Sequence, residues 1–307
     1  SAAEKDDLPS AFDPLSAKTL TPAKMLRGLF FDVNRMTDVP SNDAVVLNPH
    51  NPRDIEFIAQ KVRGVCRDKP ETDIRVCADP LFAAKSYVLY NPSALSNVLG
   101  RCVVVGLDPS ATAFWRNRLT LKSGEVVDPI RRPGNNYFKG FVMLHEWEHC
   151  RTDDELSADR FAIAQMKAMV DADIAEDVIA WRLWMEFGEL FAGNPTGYAI
   201  KTRYAHALTL EAERTGAPAM DQRSNIAAYA AFYQFIGREL AKRETPLQSL
   251  GEFRALAVRA LAKKFWKASK TVSESHGRML GDLIIRFADR EMAMQQQTTP
   301  AVPGIAP

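Results

Sequence analysis

Along this chain the rhythm of apolar and polar positions changes near residue 135. Upstream, short apolar runs are separated by Pro and Gly: Ala44-Val45-Val46-Leu47, Ile74-Arg75-Val76-Cys77, Ser86-Tyr87-Val88-Leu89-Tyr90 and Cys102-Val103-Val104-Val105. Runs of this length rich in β-branched and aromatic residues read as strands. A hairpin is expected over Leu119 to Val127, with Lys122-Ser123-Gly124-Glu125 as its turn. One helix is expected over Asp54 to Val65, because Ile55, Ile58, Ala59 and Val62 recur at helical spacing.

From Asn136 onward the period is helical. It predicts helices over 136–151, 153–170, 174–192, 197–214, 222–243, 247–269 and 272–293, with breaks at Gly193-Asn194-Pro195, Gly216-Ala217-Pro218 and Thr245-Pro246. The pattern therefore predicts an α+β fold, with a β-containing N-terminal part and a largely helical C-terminal part. Residues 1–20 lack sustained periodicity and are expected to form a disordered arm. The stretch 295–307 (QQQTTPAVPGIAP) is expected to be a disordered tail. Between them the expected organisation is a core over 21–170 and a helical part over 171–294 that packs on the core or covers its cleft. No internal repeat is found.

Composition narrows the function classes only slightly. The 307 residues carry 39 Lys plus Arg against 38 Asp plus Glu, a formal net charge of +1. That balance exerts no global pull on nucleic acid or an acidic membrane, so no nucleic-acid partner is expected. The cluster Arg259, Lys263, Lys264, Lys267 and Lys270 reads as a solvated helix face. No run reaches the roughly 18 apolar residues of a membrane span. The chain begins Ser1-Ala2-Ala3-Glu4, which reads as a processed or trimmed start, so any signal peptide would precede it. Cys66, Cys77, Cys102 and Cys150 show no C-x-x-C spacing. Two disulfides in an exported protein and four thiols in a cytosolic one are both compatible with them.

Chemistry concentrates in Leu144-His145-Glu146-Trp147-Glu148-His149, where two of the five histidines form H-E-x-x-H. Composition alone yields this pattern by chance on the order of half a percent of the time. Four residues is about one helical turn, so His145 and His149 share a face and can share a metal, with Glu146 one step around. Imidazoles suit Zn²⁺, and two of them leave room for a third ligand and an open position. Phe138, Phe141, Val142 and Leu144 make the preceding turns apolar. Downstream, Glu155 and Asp159 are four apart and share a face of the next expected helix.

H-E-x-x-H followed by Glu155-Leu156-Ser157-Ala158-Asp159 (E-x-x-A-D) resembles the gluzincin-type zincin metallopeptidases. The resemblance covers about 30 residues, with a weaker similarity at Tyr87 to Leu95. It implies a zincin-like fold, His145, His149 and Glu155 as zinc ligands, Glu146 as general base, and Asp159 as a partner of a ligand histidine. The chain departs from that family in its short gap from His149 to Glu155. The gap matches metzincin spacing, yet Thr152 stands where that family has Gly and no third histidine follows. Two other readings of the segment stand beside the ligand reading. Thr152 to Glu155 can form a capping box, with Glu155 bonding back to the Thr152 backbone, and Asp154 can be the ligand instead.

With zinc present, Glu146 would take a proton from the attacking water and pass it to the leaving amine of a protein or peptide substrate. His206 is the leading candidate for stabilising the oxyanion, with Tyr204, Tyr198 and Arg203 as further candidates. Cys150 adjoins a ligand but points about 100° away on a helix. Trp181, Trp184, Met185 and Phe187 read as core, and His50 and His276 as structural. The competing functional class is a non-catalytic interaction module in which zinc is structural or absent.

Overall fold

The computed structural model describes residues 18–20, 22–28, 31–38, 44–47, 52–68, 77–81, 93–94, 104–107, 119–120, 126–127, 135–170, 174–191, 205–244 and 247–298. Over the residues whose side-chain environment is described, 79% are helical and none lies in a strand. This corrects the expected fold class: the chain is all-α there, not α+β or zincin-like. Among the described residues the strands are β1 (Lys18–Leu20), β2 (Ala44–Leu47), β3 (Ser93–Ala94), β4 (Val104–Leu107), β5 (Leu119–Thr120) and β6 (Val126–Val127). These pieces are two to four residues long, shorter than an ordinary strand of about five or six. β1 to β4 pair in the order β1-β2-β4-β3, with β2 and β4 parallel from Ala44↔Val104 to Leu47↔Leu107. β5 and β6 form an antiparallel pair within the expected hairpin.

The reason for the correction is physical. A four-residue apolar run carries no periodicity that separates a strand from a buried helical segment. Cys77, expected at the end of a strand, instead opens a helical turn, and the expected strand over 86–90 lies outside the described residues. The arm expected over 1–20 is described only at β1. The expected tail begins inside a helix, which continues to Thr298.

Among the described residues the α-helices are α1 (Pro22–Gly28), α2 (Pro52–Asp68), α3 (Asn135–Glu148), α4 (Glu155–Val170), α5 (Ala175–Phe191), α6 (Ala207–Thr215), α7 (Gln222–Ala241), α8 (Leu250–Ala262) and α9 (Glu274–Thr298). Contacts divide the chain into two compact units. One holds Ser1–Arg116 and Arg132–Ile174, the other Asn117–Arg131 and Ala175–Pro307.

In the first unit, α2 starts at Pro52, where the missing N–H costs nothing. It buries Ile55, Ile58 and Ala59, and the Cys66–Cys77 disulfide ties its end to residue 77. α3 buries Phe141, Leu144 and Trp147, and α4 buries Ala158, Ala162 and Met166. These faces pack the two helices into an antiparallel-type pair joined by a short turn. The segment 31–38 is laced onto α4 by Gln165, whose Oε1 accepts from the Thr37 N–H at 3.0 Å while its Nε2 donates to Thr37 Oγ1 at 2.9 Å.

The second unit is a helical core. Phe232 of α7 meets Phe187 at 5.5 Å, Phe265 at 5.4 Å and Phe253 at 6.5 Å between ring centroids. Trp181 and Trp184 are buried as core residues, and His276 is buried on α9. Lys263, Lys267 and Lys270 are exposed. Asp221 caps α7 through the Ser224 N–H, and Ser249 caps α8 through that of Glu252. Gly216, at φ 70°, takes the left-handed conformation that ends α6. No helix among the described residues is long and apolar enough to cross a membrane.

Gly140 lies on α3, five residues before His145, and a Cβ there would overlap the ring of Phe31, itself buried. Gly140→Ala is therefore expected to destabilise the protein by about 1–3 kcal/mol. In a Phe31→Ala background the same change should cost little. Urea unfolding of the four-member double-mutant cycle measures the coupling, and equal penalties in both backgrounds would contradict this packing.

Candidate metal centre

His145 sits in the last turn of α3, with the buried ring of Phe141 6.1 Å from its own. Its ring stands edge-on to that of His149, with centroids 4.7 Å apart. α3 ends at Glu148, so His149 lies on the turn, still bonded through its N–H to the His145 carbonyl at 3.3 Å. The turn closes with Cys150 N–H to Trp147 O, then Arg151 and Thr152 N–H to Glu148 O. α4 starts at once with Glu155.

The turn settles which acidic residue faces the histidines. Asp154 is the cap of α4: its Oδ2 accepts from the Ser157 N–H at 2.8 Å and from the Ser157 hydroxyl at 2.6 Å. The Asp154 N–H in turn donates to Thr152 Oγ1 at 3.1 Å. Asp154, not Thr152, thus caps this helix, and Glu155 is left to point across the turn. Its Oε2 lies 3.2 Å from His145 Nε2 and its Oε1 lies 3.5 Å from His149 Nε2. The two Nε2 atoms are 3.0 Å apart.

Both outer nitrogens are engaged. His145 Nδ1 donates to Oδ1 of the fully buried Asp159 at 2.8 Å, and His149 Nδ1 donates to the Thr152 carbonyl at 3.0 Å. A carbonyl and a carboxylate only accept, so Nδ1 carries the hydrogen in both rings and each neutral Nε2 presents a lone pair. Two lone pairs and a carboxylate then converge within 4.8 Å of one another. They repel unless a cation or a shared proton lies among them.

The donor set fits a metal. Bonds of about 2.0–2.1 Å from a tetrahedral ion imply ligand atoms about 3.3 Å apart; the two Nε2 atoms are 3.0 Å apart, and each faces a different oxygen of Glu155, at 3.2 and 3.5 Å. Two imidazoles and one carboxylate suit zinc chemically. Outer hydrogen bonds that fix ring orientation are what such ligands need. Burial lowers the pKa of His149, but hydrogen bonding to Glu155 and to the Thr152 carbonyl, with the charge of Glu146, outweighs burial and the neighbouring His145, and the net shift is upward.

The structure therefore brings His145, His149 and Glu155 together and sets Asp159 behind His145. Glu146 is half-buried one step along α3. Cys150 is disulfide-bonded, so it offers no free thiolate. His206 is buried at the start of α6, in the second unit, and is not a member of the cluster. Tyr198, Arg203, Tyr204, Cys102 and His50 lie outside the described residues.

Sequence reasoning missed Thr152, whose contribution is a backbone oxygen without a side-chain signal. It also missed Asp154 as the cap, although Asp154-x-x-Ser157 before an apolar run carries that signal. Arg151, bridging Asp38 at 2.9 Å and Glu148 at 2.6 Å, further ties down the turn. Comparison with protein-family models, curated proteins and solved structures returns no match.

The raised pKa of His149 has a defined sign. The metal-free folded protein holds this proton more tightly than the unfolded chain, so the stability gained is complete below about pH 6.5 and is lost as pH rises through the folded value. A metal must displace the same proton. Apparent affinity for Zn²⁺ is expected to fall about tenfold per pH unit below the folded-state pKa, starting from a pH above about 6.5. Zinc titrations across that range check this, and a pH-independent affinity would contradict the arrangement.

Proposed function

We propose that this chain is a zinc-dependent peptidase whose metal is held by His145, His149 and Glu155. The observation that carries this reading is the convergence of two imidazole Nε2 lone pairs and one carboxylate, with both Nδ1 atoms already committed elsewhere. Bound zinc would supply Lewis acidity and a water of lowered pKa.

The chain's own residues do the rest. Asp159 and the Thr152 carbonyl hold the two rings in the ligand tautomer. Glu146, next to His145 in the last turn of α3, takes the proton of the attacking water and returns it to the leaving amine. The buried Phe141 ring, 6.1 Å from that of His145, keeps one side of the site dry, which strengthens each charge interaction there. Glu155 is the most exposed of the three, at 27% against 6% for His145 and 15% for His149, so solvent and substrate reach the site from its side. Glu146 favours a catalytic over a structural metal, since a structural site has no use for a carboxylate at that position. The choice of peptide bonds rests on the resemblance of H-E-x-x-H with E-x-x-A-D to gluzincin-type peptidases.

The test pairs metal content with turnover. Wild type is expected to hold about one zinc per chain, and His149→Ala or Glu155→Ala to lose it. Glu146→Gln should keep its zinc and lose about 10²–10⁴-fold in cleavage of an unfolded protein such as reduced casein. Cleavage undiminished in Glu146→Gln would refute the mechanism. Failure of wild type to take up zinc would refute the metal assignment.

A further inference from the structure

In the second unit, α5, α6 and α9 leave between them an open cavity of about 140 Å³. Its floor is Ile179, Ala180, Leu183, Leu283 and Phe287, each less than 5% exposed. That volume is close to the roughly 150 Å³ of an engineered apolar cavity that stays dry and admits benzene. It fits one phenyl ring or one short branched alkyl group.

The mouth is charged, and its charges are arranged. Glu211, 3% exposed, accepts from Arg214 at 3.0 and 3.1 Å and is also paired with Arg286. Arg214 reaches Glu176 at 3.6 Å, and Arg290 is paired with Asp177. Every carboxylate at the mouth thus already faces an arginine. Arg286 differs from the other two arginines. Its side chain is 49% exposed against 20% for Arg214 and 22% for Arg290. It meets Glu211 through one Nη alone, so its remaining N–H donors have no protein partner among the described residues. A guanidinium carries five donors and cannot lose its charge.

We propose that this cavity is a binding site for a small monocarboxylate with an apolar body, the body in the cavity and the carboxylate on Arg286. The body is limited to about one ring by volume, and the head is anionic because the outward-facing donors are cationic and the acidic groups are already neutralised. The proposal is independent of the metal centre, which lies wholly in the other unit.

Phenylacetate is the probe, measured by calorimetric titration of the full chain. A Kd of about 0.1–1 mM is expected for a ligand of this size. 2-Phenylethylamine, with the same ring and the opposite charge, should bind at least about tenfold more weakly. Arg286→Gln, a half-exposed position where Glu211 keeps Arg214, should weaken phenylacetate about tenfold or more. Ala180→Leu, which fills the floor, should abolish binding. If Ala180→Leu does not fold, the Arg286→Gln and amine comparisons still decide. No binding of phenylacetate at about 10 mM, equal binding of the amine, or indifference to Arg286→Gln would each overturn the proposal.

Discussion

The candidate metal centre depends on two hydrogen bonds made by the nitrogens that face away from it. Asp159 takes the Nδ1 hydrogen of His145, and the Thr152 carbonyl takes that of His149. Each bond sets a tautomer and a ring angle, and together they turn two Nε2 lone pairs towards Glu155. Such a convergence is unfavourable by itself, because each group is an acceptor and all three are partly or wholly removed from water. A cation or shared proton relieves it. Hydrogen bonds that fix both rings from outside the cluster lower the ordering cost of binding a ligand there.

That positioning depends on a very short connection. Only six residues separate the end of α3 from the start of α4, and most of them hold one another. Thr152 serves both sides, its carbonyl orienting His149 and its hydroxyl receiving the N–H of the residue that caps α4. Arg151 bridges the end of α3 to Asp38, while Gln165 binds the same 37–38 segment from α4. The buried faces of α3 and α4 supply the packing beneath. Removing a cap or a buried face would misplace a carboxylate several ångströms away, so stability and site geometry are not separable here.

The helical half was legible because its signal is long. A helix of 13 to 25 residues, as in α7 to α9, repeats its apolar face several times, and caps such as Asp221 and Ser249 mark its start. Gly216 marks an end by the conformation it takes. The N-terminal half offered only four- and five-residue apolar runs, and these carry too few repeats to distinguish extended from helical backbone. Ala44 to Leu47 does pair as a strand, yet Cys77 opens a helical turn. The α+β expectation failed because these strands are only two to four residues long and none lies among the residues whose environment is described, 79% of which are helical.

Sequence alone determined the H-E-x-x-H pair. Residues four apart on a helix must share a face, whatever surrounds them, so His145 and His149 were bound to be neighbours. It also marked Glu155 and Asp159 as a pair on one face of the following helix. Only the tertiary structure decided between Glu155 and Asp154. That choice turns on which residue caps α4, and on a reversal of the chain that brings two helix faces together. The role of Thr152 was equally beyond a reading by residue type, because its acceptor is a backbone oxygen common to every residue. The cavity under Arg286 is further still from sequence, assembled from three helices whose relative placement no local spacing encodes.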